Sequence, residues 1–97
     1  MALYIMLAKY TDADLQHVKD TLNRVQAFEN LAKKCGATVK EVYWAHGEYD
    51  SFALIKAPDE LTIRAVALSV GDLGDVRART LRAFTAAEMK TIVGKLV

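Results

Sequence analysis

The sequence predicts an α+β fold: a four-stranded antiparallel sheet, two helices across one of its faces, and an extra helix at the C-terminus. Strand-like and helix-like stretches follow one another in the order β-α-β-β-α-β. The 97 residues leave room for one hydrophobic core, so residues 1–97 form one domain. Strands 1 and 3 are apolar on both faces, which calls for a second copy of the chain to cover the face the helices leave open.

The first strand spans Ala2 to Tyr10, where Leu3, Ile5 and Leu7 alternate with Tyr4, Met6 and Ala8. Thr11-Asp12-Ala13-Asp14 then reads as a helix start, with Thr11 as N-cap and carboxylates placed for the helix dipole. Leu15, Val18, Leu22, Val25, Phe28, Ala32 and Cys35 follow at three- and four-residue steps, the apolar stripe of one long helix. Lys33 and Lys34 lie in its last turn, and Gly36 suits a left-handed C-terminal cap. Thr38 to His46 and Tyr49 to Ala57 read as paired strands, joined by a tight turn at Gly47-Glu48. Pro58-Asp59-Glu60 opens a helix from Leu61 to about Val70 that ends at Gly71. Its middle, Ala65 to Leu68, is apolar nearly all round and is expected to be well covered. Gly74 to Arg82 forms the fourth strand, and Thr85-Ala86-Ala87-Glu88 has the capping-box pattern of a short last helix.

This order is the ferredoxin-like arrangement. Phe52 and Leu54 on the third strand, opposite Ala53 and Ile55, join strand 1 in giving the open face an apolar surface. Two copies packed sheet to sheet would cover it and form a dimeric α/β barrel, the expected homodimer; a trimer sharing strand edges is the alternative.

Composition narrows the function classes. Thirteen basic and twelve acidic residues give a net charge of +1, which offers no footprint for nucleic acid or an anionic membrane. Strand 4, Val76-Arg77-Ala78-Arg79-Thr80-Leu81, also lacks the aromatic pattern of an RNA-binding sheet. One cysteine, Cys35, forms no internal disulfide, and Ala2 to Ala8 lacks both a basic leader and the length to span a bilayer; a cytoplasmic location is expected.

The chemistry concentrates in Tyr43-Trp44-Ala45-His46-Gly47-Glu48-Tyr49-Asp50. His46 is the candidate general base, oriented by Asp50 or Glu48, with Tyr49 or Tyr43 as proton donor and Trp44 as a stacking wall. The competing reading has Tyr49 and Asp50 fixing the turn, Trp44 filling core and His46 in solvent. Arg77 and Arg79 share a face of strand 4, with Arg82 beyond, and a guanidinium there suits a carboxylate or phosphate; a solvated edge with ion pairs is the alternative. Arg24, with Lys19 and Asp20, is placed to frame the mouth of a sheet–helix pocket, against plain surface pairing, and Lys9 is a weaker candidate. No metal is expected, because neither His17 nor Cys35 stands at ligand spacing from His46. No cofactor is expected either: Gly71-Asp72-Leu73-Gly74 is too short for a phosphate loop.

Gly47-Glu48-Tyr49-Asp50 is also a Gly-x-Tyr-Asp signature. With Lys19-Asp20, Arg24, Tyr43-Trp44, Ala57-Pro58-Asp59, Leu73-Gly74, Val76-Arg77 and Thr80-Leu81-Arg82-Ala83-Phe84, the chain resembles the GYD-domain family of small bacterial proteins almost end to end. The resemblance implies the dimeric α+β barrel and no particular activity. Many relatives carry Ser-Pro in place of Thr21-Leu22, so the first helix here is expected to run unbroken. Many carry threonine in place of Ala45, so a role for that hydroxyl is absent. The functional expectation is a homodimer binding a small carboxylated or aromatic molecule, with proton-transfer chemistry as an extension. A non-catalytic sensor or assembly module, its hairpin at the subunit contact, is the alternative.

Overall fold

A computed structural model describes residues 1–12, 18–72 and 76–97. The elements are β1 (Ala2–Tyr10), a 3-10 turn (Val18–Asp20), α1 (Thr21–Cys35), β2 (Thr38–Trp44), β3 (Ser51–Ala57), α2 (Glu60–Asp72), β4 (Val76–Ala83) and α3 (Ala86–Gly94). The sheet order is β2-β3-β1-β4 with every pair antiparallel, which is the ferredoxin-like α+β arrangement the sequence predicts. Period-two alternation divides the sheet cleanly. Tyr4 and Met6 of β1 and Ala53, Ile55 and Ala57 of β3 are buried beneath the helices, where they meet Ala32 of α1 and Ile63 and Val66 of α2. The opposite face carries Leu3, Ile5 and Leu7, in register with Leu54, Phe52 and Leu81.

Several expectations are corrected. The first helix is not a single α-helix: α1 starts at Thr21, after the 3-10 turn, with Asp20 as N-cap. The Asp20 carboxylate accepts from Asn23 Nδ2 at 2.7 Å and caps no backbone N–H. The acidic start at Ala13-Asp14 and the stripe position Leu15 lie outside the described residues. Leu22 is 72% exposed. On a helical wheel it stands roughly 100° from the centre of the covered stripe formed by Val25, Phe28, Ala32 and Cys35. The C-terminus is as expected, with Gly36 left-handed at φ 96° and its N–H on the carbonyls of Ala32 and Lys33.

α2 runs to Asp72, so Gly71 falls inside its last turn. Val66 is fully covered, yet Leu61 and Leu68 stand on its outer side and are exposed. β2 stops at Trp44 and β3 begins at Ser51, so His46 and Tyr49 lie in no strand and the tight Gly47-Glu48 turn is absent. A loop, Ala45 to Asp50, takes its place, closed by a bond from the Ala45 N–H to the Asp50 carbonyl at 2.8 Å. Gly47 does adopt positive φ, 140°, and has open space where a side chain would stand.

The capping box at α3 forms as written in the sequence. The Thr85 hydroxyl accepts the Glu88 N–H and the Glu88 carboxylate accepts the Thr85 N–H, both at 3.1 Å. Arg82 binds the same carboxylate at 2.8 Å and lies over the rings of Tyr4 and Phe84, tying α3 to the sheet. At the start of α2, Asp59 accepts from the Thr62 N–H and hydroxyl, each at 2.8 Å.

Hydrogen bonding from backbone N–H groups therefore lowers both carboxyls, Glu88 through Thr85 and then Arg82, and Asp59 through Thr62. A depressed folded-state pKa stabilises the fold above the ordinary value and is lost as pH falls through the folded one. The melting temperature should hold steady down to the ordinary values, 4.5 for Glu88 and 3.8 for Asp59, and decline below them. A calorimetric series from pH 6 to 2.5 on the wild type and the Asp59→Asn, Glu88→Gln double variant checks this. Equal acid slopes in the two proteins would remove the caps from the explanation.

Candidate functional site

Between the helix-covered sheet face and α1 lies a cavity of about 270 Å³. Its floor comes from Met6 and Ala8 of β1, Val42 of β2 and Ala53 of β3; its roof comes from Val25, Phe28 and Leu31 of α1, with Val70 of α2 at one side. The space exists because the floor beneath α1 is built partly from alanines, whose small side chains leave the helix stripe without a partner of matching depth. Among the described residues four polar side chains interrupt the apolar wall: Tyr10, Thr21, Arg24 and Ser51.

Each polar group has a local cause. Ser51 is the first residue of β3 and lies in phase with buried Ala53, Ile55 and Ala57; it is 8% exposed. Among the described residues its hydroxyl finds no hydrogen-bond partner. Thr21 opens α1, and its Oγ1 accepts from Trp44 Nε1 at 3.0 Å. Arg24 stands one turn further along α1 and is half-buried. Tyr10 ends β1, and its backbone N–H donates to Asp50 Oδ2 at 2.7 Å, while the Asp50 N–H donates to the Ala8 carbonyl at 2.9 Å. The Asp50 carboxylate is thus a clasp across β1 and β3, spanning 40 residues of sequence.

The residues singled out from sequence divide among three places. Arg24 lines the cavity, and Trp44 reaches it through Thr21. His46, Tyr49 and Asp50 occupy the Ala45–Asp50 loop and line no part of the cavity. Among the described residues no hydrogen bond joins His46 to Glu48, Tyr49 or Asp50, and His46 is exposed. Tyr43, Arg77 and Arg79 sit on the opposite sheet face. Tyr43 stacks on Phe52 with ring centroids 5.1 Å apart and donates to the Glu41 carboxylate, and that bond raises the phenol above its ordinary value. Arg77 pairs across the ladder with Lys9, and Arg79 with Leu7. Arg82 turns to the other side and binds Glu88. Cys35 is half-buried with its Sγ 4.0 Å from Ser69 Oγ. Among the described residues no group of three or more His, Cys, Asp or Glu is arranged to hold a metal, and no helix is long and apolar enough to cross a membrane.

Three polar residues of the cavity wall, Tyr10, Thr21 and Ser51, escaped the reading of the sequence. Ser51 carried a usable signal, a lone hydroxyl in phase with an otherwise apolar buried set. Thr21 carried none, because only the fold brings the first turn of α1 against Trp44.

A family model for the GYD domain matches residues 4–93. The crystal structure of TTHA0845 from Thermus thermophilus is similar, with 30% identity and a TM-score of 0.58, covering 89% of this chain and 96% of that one. The crystal structure of FFRP-DM1 shares the fold at 17% identity and a TM-score of 0.59, covering 87% of this chain and 100% of that one. Among curated proteins nothing matches.

Proposed function

The chain belongs to the GYD domain family, and on that premise we propose that it is a homodimer in which each protomer binds one small, largely apolar molecule between its sheet and α1. The observation that carries this reading is the cavity of about 270 Å³, its apolar walls broken by a few polar groups. Ligand sites are built this way: apolar surface supplies affinity, and sparse polar groups set orientation. Among the described residues no carboxylate or imidazole lines the cavity, so the reading is binding, and His46, Tyr49 and Asp50 hold no place in it as acid or base.

The homodimer rests on the other face of the sheet. Leu3, Ile5, Leu7, Phe52 and Leu54 form an apolar field across the central strands β1 and β3. Exposed Arg77 and Arg79 lie along the β4 edge, and Glu41 lies on the β2 edge. A two-fold axis parallel to the strands lays β4 of one copy over β2 of the other, setting arginines against the Glu41 edge twice by symmetry. Tyr43, stacked on Phe52, belongs to that surface, so the hairpin aromatics serve assembly on one face while Trp44 serves the pocket on the other.

Trp44 is the chain's one tryptophan and is bonded to a cavity residue, which makes it the reporter. Titration with a panel of small aromatic and branched aliphatic compounds should change its emission saturably, with one site per protomer. A panel in which nothing saturates would sink the pocket. Sedimentation should give twice the 10.7 kDa chain mass; a monomer at micromolar concentration would sink the interface.

A further inference from the structure

We infer that α3 is an intersubunit arm, whose exposed apolar stripe packs on the second copy of this chain beside the start of that copy's β2. The assignment rests on the homodimer proposed above and extends its interface beyond the sheet. At 9 residues, α3 is too short to persist in water without tertiary packing. The capping box and the Arg82–Glu88 pair hold only its first turn. None of its residues is buried, and among the described residues no strand or other helix packs extensively against it. Glu88 and Ile92, one turn apart, form its half-covered side. Ala86, Met89 and Val93, with Leu96 just past the helix, recur at three- and four-residue steps and form a stripe on the neighbouring side. Met89, Val93 and Leu96 are 49–70% exposed.

Two observations assign this stripe to a second copy. The first is area. The chain exposes 6927 Å², whereas a compact monomer of its 10.7 kDa mass exposes about 5,500 Å². The surplus, roughly 1,400 Å², exceeds the ~800 Å² that each partner gives to a standard interface. The second is position. Ala83, Leu3, Lys56 and Thr38 pair in one row across the sheet, so α3 leaves β4 at the end where β2 begins. A two-fold axis parallel to the strands lays β4 of one copy over β2 of the other and keeps that row level. The arm therefore emerges over Thr38 of the partner subunit. Leu81 and Phe84, both exposed, lead the apolar surface from the open sheet face to the stripe.

The test is a Met89→Glu, Val93→Glu double variant, followed by sedimentation equilibrium beside the wild type. Its dimer should dissociate at least about a hundredfold more readily, since each copy loses the burial of two apolar side chains. Placed in a Leu54→Asp monomer the same pair should leave the melting temperature unchanged, because both positions are exposed in the protomer. Hydrogen exchange supplies a second readout: the α3 amides should be protected in the wild-type dimer and exchange freely in Leu54→Asp. An unchanged dimer constant in the double variant, or α3 protection that survives in the monomer, would overturn the arm and leave the sheet interface standing. A wild type that is already monomeric would overturn the homodimer and the arm with it. A wild type of four chains that falls to two in the double variant would overturn the arm within the dimer and make the stripe a contact between dimers.

Discussion

Leu54→Asp should convert the proposed dimer into a folded monomer. Leu54 lies at the centre of the open sheet face, in register with Ile5 on the neighbouring middle strand. In a single protomer it is only half-buried, so an aspartate there keeps access to water and the protomer fold tolerates it. In the proposed dimer the same carboxylate is buried without a partner, and two-fold symmetry imposes the cost twice. An uncompensated buried charge costs about 3–5 kcal/mol, and incurred twice it should strengthen dissociation by a factor on the order of ten thousand or more. Sedimentation equilibrium measures the change, and far-ultraviolet dichroism separates dissociation from unfolding. A Leu54→Asp protein that remains dimeric would place the interface elsewhere, with a trimer through strand edges as the next arrangement to test. Charge reversal gives an independent check on the geometry. Arg79→Glu alone should weaken the dimer, and adding Glu41→Arg should restore it, because the axis proposed here brings those two edges together.

Asp50→Ala should be the most destabilising change in the signature loop. The carboxylate accepts the Tyr10 N–H at 2.7 Å in a part-buried setting. Removing it leaves that N–H without its acceptor and frees the loop from the end of β1. Hydrogen bonds to charged groups are worth about 1.5–3 kcal/mol, and for a domain of this size that translates to a fall in melting temperature on the order of 10 °C. Asp50→Asn keeps a neutral acceptor and should lose about half as much. His46→Ala and Tyr49→Phe should stay within about 0.5 kcal/mol of wild type, as side chains outside any such network do. Thermal and urea denaturation of the four variants check the ranking. Because Tyr10 also lines the cavity, Asp50→Ala should weaken ligand binding alongside stability. Unchanged stability in Asp50→Ala would dismiss the clasp, and a catalytic assignment for this residue would regain ground.

The clasp also accounts for the hairpin region more simply than an acid–base site does. Gly47 supplies a left-handed turn, and Asp50 ties the returning chain to β1. His46 is left in solvent between them. The aromatic density that marks this stretch divides across the sheet by alternation, Tyr43 to the open face and Trp44 to the helix side. A cluster in sequence is thus two separate surfaces in space.

The strands, the sheet order and the α3 capping box were legible because their determinants are local: alternation at period two, and a threonine three residues ahead of a glutamate. The apolar character of both sheet faces followed from the same alternation. Leu22, Leu61 and Leu68 were not legible as exposed, since hydrophobicity reports what a residue favours and not which side of a helix meets the sheet. The loop from Ala45 to Asp50 was hidden for another reason: the partner that reshapes it, the Tyr10 N–H, is 40 residues away. The site shows the same division. The amino-acid sequence by itself determined the architecture and named Arg24 as a candidate at a sheet–helix pocket. Only the tertiary structure decided which groups share that pocket, because Thr21, Arg24 and Ser51 come to line one cavity through the docking of α1 on the sheet, a contact set by side-chain volumes summed over two layers and written in no single segment of the chain.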